Sequence, residues 1–212
     1  MVGTNKSLYA GPVAGIALAA VLWTVMFSPW TSPYLNFWVM MTCSAVVLSL
    51  FSFAGRPELF RMLRLRLDDI VLGIVLAALL WGIFWVGDRL SSMMFGFARG
   101  QVDMIYGMKE GENPYVLSLL MLFIIGPAEE LFWRGYIQES LSRKWNRNAG
   151  FVVTAIVYAL VHISKFNFML LMAALVAGVV WGLGYRLFPE RIGALIVSHA
   201  VWDCAVFIWF PI

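Results

Sequence analysis

The 212-residue chain is predicted to be all-α: a polytopic transmembrane helix bundle with seven spans and room for an eighth. Three observations carry that prediction. Hydrophobic residues make up 62% of the chain and charged residues only 13%, against about half and a quarter in soluble globular domains. The apolar residues fall in long uninterrupted runs. Most charges sit in the short segments between those runs.

A helix needs roughly 20 apolar residues to cross about 30 Å of hydrocarbon. Seven stretches qualify, near 8–27, 35–54, 70–87, 115–134, 150–166, 168–188 and 192–210. They consume most of the chain, so residues 1–212 read as a single integral membrane domain. The first stretch has a weak basic flank in Lys6 and small residues at Ala17, Ala19 and Ala20. It is longer than a signal-peptide core and runs into Pro29 and Trp30, so it reads as a retained span. Trp23, Trp30 and Trp38 lie near span ends and suit an aromatic belt. Gly55 to Asp69 reads as a basic loop near anionic headgroups. Residues 88–114 include a semi-apolar stretch, Ser91 to Met108, that fits either the membrane interface or a short extra crossing. In the sixth span, Gly178 and Gly182 form a small-xxx-small pair that lets helices approach closely.

The net charge of +3 points to no nucleic-acid partner; its distribution carries the information. With the N-terminus inside, Lys6, Arg56, Arg61, Arg64, Arg66, Arg134, Arg143, Lys144, Arg147, Arg186 and Arg191 are cytoplasmic. Arg89, Arg99, Lys109 and Lys165 are outside. That split of eleven to four favours an inside N-terminus and an outside C-terminus. The two cysteines, Cys43 and Cys204, lie inside apolar runs and read as small buried residues, since a disulfide framework would place more of them in loops.

An ionisable side chain within a span costs roughly 2.5–3.5 kcal/mol on insertion scales and is a functional candidate by default. Three places stand out. The first is Gly126-Pro127-Ala128-Glu129-Glu130-Leu131-Phe132-Trp133-Arg134, where two carboxylates end an apolar run. Glu130 and Arg134 share a helical face and can pair. Glu129 points about 100° away, which leaves it free to act as a general base in a dry site. The competing reading is that all three residues have reached the cytoplasmic interface. The second is His162, and the third is His199 followed four residues later by Asp203; these are the chain's two histidines. His199 and Asp203 form a ready hydrogen-bonded pair. A glutamate, two histidines and an aspartate on three helices converge only inside a bundle, where they could hold a water or a metal ion. The span boundaries put Glu129 and His199 in the cytoplasmic half and His162 nearer the far side. The three can meet if the helix carrying Glu129 runs on past Arg134, through the helix-permissive segment 136–145, and if Gly150 lies below the membrane edge.

Glu129-Glu130-xxx-Arg134, then Tyr158-xxx-His162, then His199-xxx-Asp203, in that order on successive spans, resembles the CPBP family. These are intramembrane proteases also called type II CAAX or bacteriocin-processing (Abi) proteases. The resemblance covers roughly 115–205, which would be the catalytic core, with 1–114 as N-terminal spans. It implies an endopeptidase in which Glu129 activates water, His162 assists, Glu130 and Arg134 orient the site, and His199 and Asp203 contact the developing oxyanion. Its substrate would be a membrane-associated or lipidated protein or peptide in the bilayer, in the cell membrane of a prokaryote. The family is described both as metallo- and as glutamate-type, so a divalent metal such as zinc on Glu129, His162 and His199 is one version. The His-Glu-x-x-His pattern of zincins is absent. Two positions depart from the family. Tyr158 stands where phenylalanine is usual, adding a hydroxyl. Asp203 stands where asparagine is common; an ionised aspartate cannot donate to an oxyanion, which favours Asp203 orienting His199.

Three other functions compete. A non-catalytic immunity factor or scaffold of the same fold has no need of an intact Glu129, His162 and His199. A proton-coupled transporter would show inverted halves with broken helices. A cysteine transpeptidase built on Cys204 lacks a basic partner on that face of the helix.

Overall fold

The computed structural model describes residues 7–63 and 65–212, so Lys6 and Arg64 of the charge count lie outside the described residues. Among these, seven helices are long and apolar enough to cross a membrane. In chain order the helices are α1 (Ser7–Phe27), α2 (Phe37–Gly55), α3 (Leu67–Met94), the short α4 (Ala98–Tyr106), α5 (Pro114–Lys144), α6 (Arg147–Lys165), α7 (Phe168–Leu187) and α8 (Pro189–Trp209). Four of them start on an asparagine whose side chain accepts a backbone N–H of the first turn: Asn36 for α2, Asn113 for α5, Asn146 for α6 and Asn167 for α7. That satisfies donors a helix otherwise leaves unpaired.

Two boundaries differ from the hydropathy reading. α3 continues to Met94, so Asp88 and Arg89 belong to a spanning helix and not to the loop that follows. α4 has nine residues, too few to cross, so the ambiguous 88–114 segment contributes no eighth span. The larger change is α5. It does not stop at Arg134 but runs 31 residues from Pro114 to Lys144, on the order of 45 Å at 1.5 Å per residue. Glu129 therefore lies midway along it. Gly150, near the start of α6, is buried against Ser142 and Gln138 of α5, while Arg147 and Asn148 before it are exposed.

The core is built around fully buried Trp23, Phe132, Trp133 and Trp181. Three glycines permit two of the helix crossings that shape the bundle. A Cβ on Gly126 would meet Ala200 Cα at 2.7 Å, so glycine lets α5 touch the backbone of α8 there. On α7 a Cβ at Gly178 would meet Tyr158 Cδ1 at 2.9 Å and one at Gly182 would meet Phe151 Cδ2 at 3.0 Å, so this pair seats α7 on α6. Meanwhile α3 turns Val71, Ile74, Val75 and Leu79 outward, the surface expected of a helix facing lipid.

Several expectations change with the fold in view. Trp30 is exposed and fits a belt, but Trp23 and Trp38 are buried: Trp38 donates to Met108 O at 2.9 Å, and Trp23 belongs to the site described below. Arg56 does not merely mark topology. It is buried, donates to Gly135 O and pairs with Glu58 at 3.2 Å and Glu139 at 3.8 Å. Cys204 is buried as expected, with its sulfur 3.5 Å from Ser118 O, whereas Cys43 is exposed.

Candidate active site within the helix bundle

The middle of α5 is unusual in its winding. Gly126–Glu130 is a stretch of ordinary α-helix between two wider π-helical stretches, Met121–Ile125 and Leu131–Gln138. Pro127 has no N–H to donate to the carbonyl four residues back, and its ring would crowd that carbonyl. The widened turn just before it relieves this demand. Such local rewinding is frequent at functional sites because it re-aims side chains. Here it sets two adjacent glutamates toward different partners.

Glu130 is fully buried, with 0% exposure, and Arg134 is 1% exposed. Their side chains pair at 2.8 Å, so the pair has not reached an aqueous interface. Arg134 also lies 4.8 Å over the ring of Tyr158 and 5.5 Å over that of Trp181. Glu129 is likewise buried and takes a separate partner: the Tyr158 hydroxyl donates to its Oε2 at 2.9 Å. Its other oxygen makes no hydrogen bond among the described residues. The two carboxylates thus have distinct surroundings, one neutralised by a guanidinium and one held by a neutral phenol.

His199 of α8 meets this pair through the contact that Gly126 permits. Its Nδ1 lies 2.7 Å from Glu130 Oε1, while Nε2 lies 3.5 Å from Asp203 Oδ2. The closer partner of His199 is therefore Glu130, and the expected His199–Asp203 pair is a longer contact. Nδ1 faces a carboxylate that is itself bonded to arginine, so Nδ1 carries a proton. Nε2 faces a carboxyl oxygen of Asp203 at that longer distance. The imidazole is stacked on Trp181, with ring centroids 3.8 Å apart and planes 15° apart, and the Trp181 indole donates to Ser198 Oγ at 3.1 Å.

His162 occupies the single tightened turn, Val161–Lys165, that ends α6. Its Nδ1 lies 2.8 Å from Tyr158 O, and the Trp23 indole donates to its Nε2 at 3.0 Å. A carbonyl only accepts and an indole N–H only donates. The ring is therefore the neutral tautomer with the proton on Nδ1. His162 has no direct bond to Glu129; Tyr158 stands between them.

Part of this network borders one cavity of about 570 Å³, within the usual range for ligand sites. Glu129, Tyr158, His162, His199 and Asp203 line one part of it. Apolar side chains from the other helices, among them Phe27, Phe84, Met94 and Met172, line most of the remainder. Asp88 of α3 faces the same space and is 3.6 Å from Arg99 of α4.

The structure thus brings all six sequence-selected residues together: Glu129, Glu130, Arg134, His162, His199 and Asp203. Reading the sequence for exceptions missed three others. Trp23 was assigned to a belt, Trp181 carried no polar signal, and Asp88 was assigned to a loop. As ligands for a metal, the trio of Glu129, His162 and His199 does not fit in this arrangement. Both ring nitrogens of His162 are engaged, Nδ1 of His199 is committed to Glu130, and among the described residues no three His, Cys, Asp or Glu side chains are disposed to hold an ion.

No curated protein and no solved structure matches the chain. A family model does: residues 111–205 match that of the Type II CAAX prenyl endopeptidase Rce1-like family. The matched segment runs from the turn before α5 into α8 and contains all six residues, the Tyr158 hydroxyl and the stacked Trp181. By this segment, with its buried Glu129-Glu130-xxx-Arg134, Tyr158-xxx-His162 and His199-xxx-Asp203 sets inside an all-helical membrane bundle, the chain is similar to the CPBP family of intramembrane proteases.

Proposed function

We propose that this protein is an endopeptidase that hydrolyses a peptide bond of a membrane-associated or lipidated substrate with a water activated by Glu129. One observation carries the reading. Glu129 is buried, anchored through one oxygen by Tyr158, and borders an apolar cavity that both histidines also border. A carboxylate presented this way, with one oxygen held and the other turned to the cavity, can take a proton from water, which is what a general base requires.

In the proposed sequence, the free oxygen of Glu129 accepts a proton as the water oxygen bonds to the scissile carbonyl carbon. The developing oxyanion is met by the proton on His199 Nε2, drawn from the His199–Asp203 pair. Collapse of the tetrahedral species breaks the C–N bond, and Glu129 passes its proton to the leaving amine. Glu130 and Arg134 hold His199 in register from behind. His162 offers the water only its Nε2 lone pair, in competition with the Trp23 indole. A zinc ion, if bound, would act as a Lewis acid on the carbonyl oxygen. His162 would have to part from Trp23 to ligate it, and no step above depends on it. The remaining charge asymmetry supports an inside N-terminus; the membrane would be the cell membrane of a prokaryote.

The test is reconstitution in phospholipid vesicles with two quenched-fluorescent peptides, one ending in a farnesylated cysteine motif and one an unlipidated apolar sequence. Cleavage of either by the natural protein and none by Glu129→Gln, with both proteins folded, is the expected result. Equal cleavage by Glu129→Gln would overturn the reading.

A further inference from the structure

Tyr158 hydrogen-bonds to both Glu129 and His162, and it does so with opposite ends. Its hydroxyl donates to Glu129 Oε2 at 2.9 Å, and its backbone carbonyl accepts the Nδ1–H of His162 at 2.8 Å. The ring between those ends is clamped. The Arg134 guanidinium lies over it at 4.8 Å, the Trp133 indole meets it edge-on at 5.3 Å, and α7 presses on it where Gly178 leaves room for Cδ1. The hydroxyl is thus delivered from a side chain with little freedom to move. A carboxylate in a largely apolar cavity otherwise turns about its terminal bond, where the torsional wells are broad. A single strong donor on one oxygen ends that freedom and commits the other oxygen to the cavity.

We infer that Tyr158 is a positioning residue for the reaction: its hydroxyl fixes the Glu129 carboxylate so that one oxygen faces the attacking water. This rests on the reading of Glu129 as the base. A phenylalanine at this position would keep the packing and the His162 carbonyl contact, since that contact is made by the backbone. It would lose only the grip on Glu129. The hydroxyl is therefore separable from every structural duty of the residue, which makes its contribution measurable. A hydrogen bond to a charged group has the strength to change the rate about ten- to a hundredfold once lost.

The experiment is Tyr158→Phe in reconstituted vesicles, with the farnesylated quenched peptide, beside Glu129→Gln. The expected outcome is a kcat lowered about ten- to a hundredfold with KM within about twofold, and an unfolding temperature equal to that of the natural protein. A merely structural role would move the unfolding temperature and leave no such split. Unchanged kcat in Tyr158→Phe overturns the inference while leaving the base reading intact if Glu129→Gln is inactive; activity in Glu129→Gln sinks the base reading itself. A second readout needs no substrate. The infrared carboxyl or carboxylate band that vanishes in Glu129→Gln is expected to shift in Tyr158→Phe, and a band that stays in place refutes the hydrogen bond. Should the phenylalanine variant fail to fold, replacement of Tyr158 by 3,5-difluorotyrosine keeps the ring and alters the donor, and the same band is expected to shift; a fixed band refutes the inference there too.

Discussion

Glu130 and His199 meet at 2.7 Å across 69 positions of sequence, and the same carboxylate oxygen accepts from Arg134 at 2.8 Å. One atom thus joins the two helices that carry the proposed base and the proposed oxyanion donor. A buried ion pair that loses one partner strands the other charge in low dielectric, at a cost of about 3–5 kcal/mol. Glu130→Gln is accordingly expected to lower the unfolding temperature in detergent markedly, and Arg134→Met likewise. The double variant, in which no charge is stranded, is expected to be less destabilised than the sum of the two. Thermal unfolding of the three proteins checks this.

Glu129 makes a contrasting case. Among the described residues its one hydrogen bond is to a neutral tyrosine, so removing its charge leaves no directly paired cation stranded. Glu129→Gln is expected to keep the natural unfolding temperature and to lose cleavage by at least about a hundredfold, the usual contribution of a positioned base. Stability and activity therefore separate at adjacent positions of α5, with Glu130 governing mainly the first and Glu129 the second. A large loss of stability in Glu129→Gln would contradict this division.

How much of this was legible in the sequence follows from which forces act locally. Hydropathy and the cost of ionisable groups in hydrocarbon are properties of a segment, so seven spans and the six exceptional polar residues could be read directly. Depth could not. Whether α5 ends at Arg134 depends on whether Tyr136, Ile137 and Gln138 find neighbours, and their burial is supplied by other helices. Partner choice was also out of reach. The four-residue spacing pointed His199 at Asp203, but Gly126 lets α5 approach α8 so closely that Glu130 is the nearer group. Trp23 shows the same limit from the other side. An indole near a span end scores as an interface anchor by composition, and only its meeting with a residue 139 positions away reveals a site contact.

Gly178 links helix packing to the site. A Cβ there would meet Tyr158 Cδ1 at 2.9 Å and Ala155 O at 3.4 Å, so the ring holding Glu129 must shift to admit it. Overpacking of this kind costs about 1–3 kcal/mol. Gly178→Ala is expected to lower kcat more than an equally destabilising substitution on the lipid-facing side of α3, such as Val75→Ala. Comparing kcat at matched unfolding temperatures tests the link, and proportional losses in both variants would break it.

His199 Nε2 and Asp203 Oδ2 lie 3.5 Å apart, and the proposed mechanism draws the oxyanion's proton from this pair. If Asp203 serves only to orient and supply that proton, an amide in its place can still hold the ring. Asp203→Asn is then expected to keep activity within about tenfold of the natural protein, whereas His199→Ala is expected to lose at least about a hundredfold. Metal removal completes the comparison. With His162 bonded at both ring nitrogens and His199 committed to Glu130, prolonged chelation followed by metal-free reconstitution is expected to leave cleavage by the natural protein and by Asp203→Asn unchanged. Inhibition reversed by added zinc would mean that Trp23 releases His162 in the working enzyme, and Trp23→Phe should then bind zinc more tightly than the natural protein.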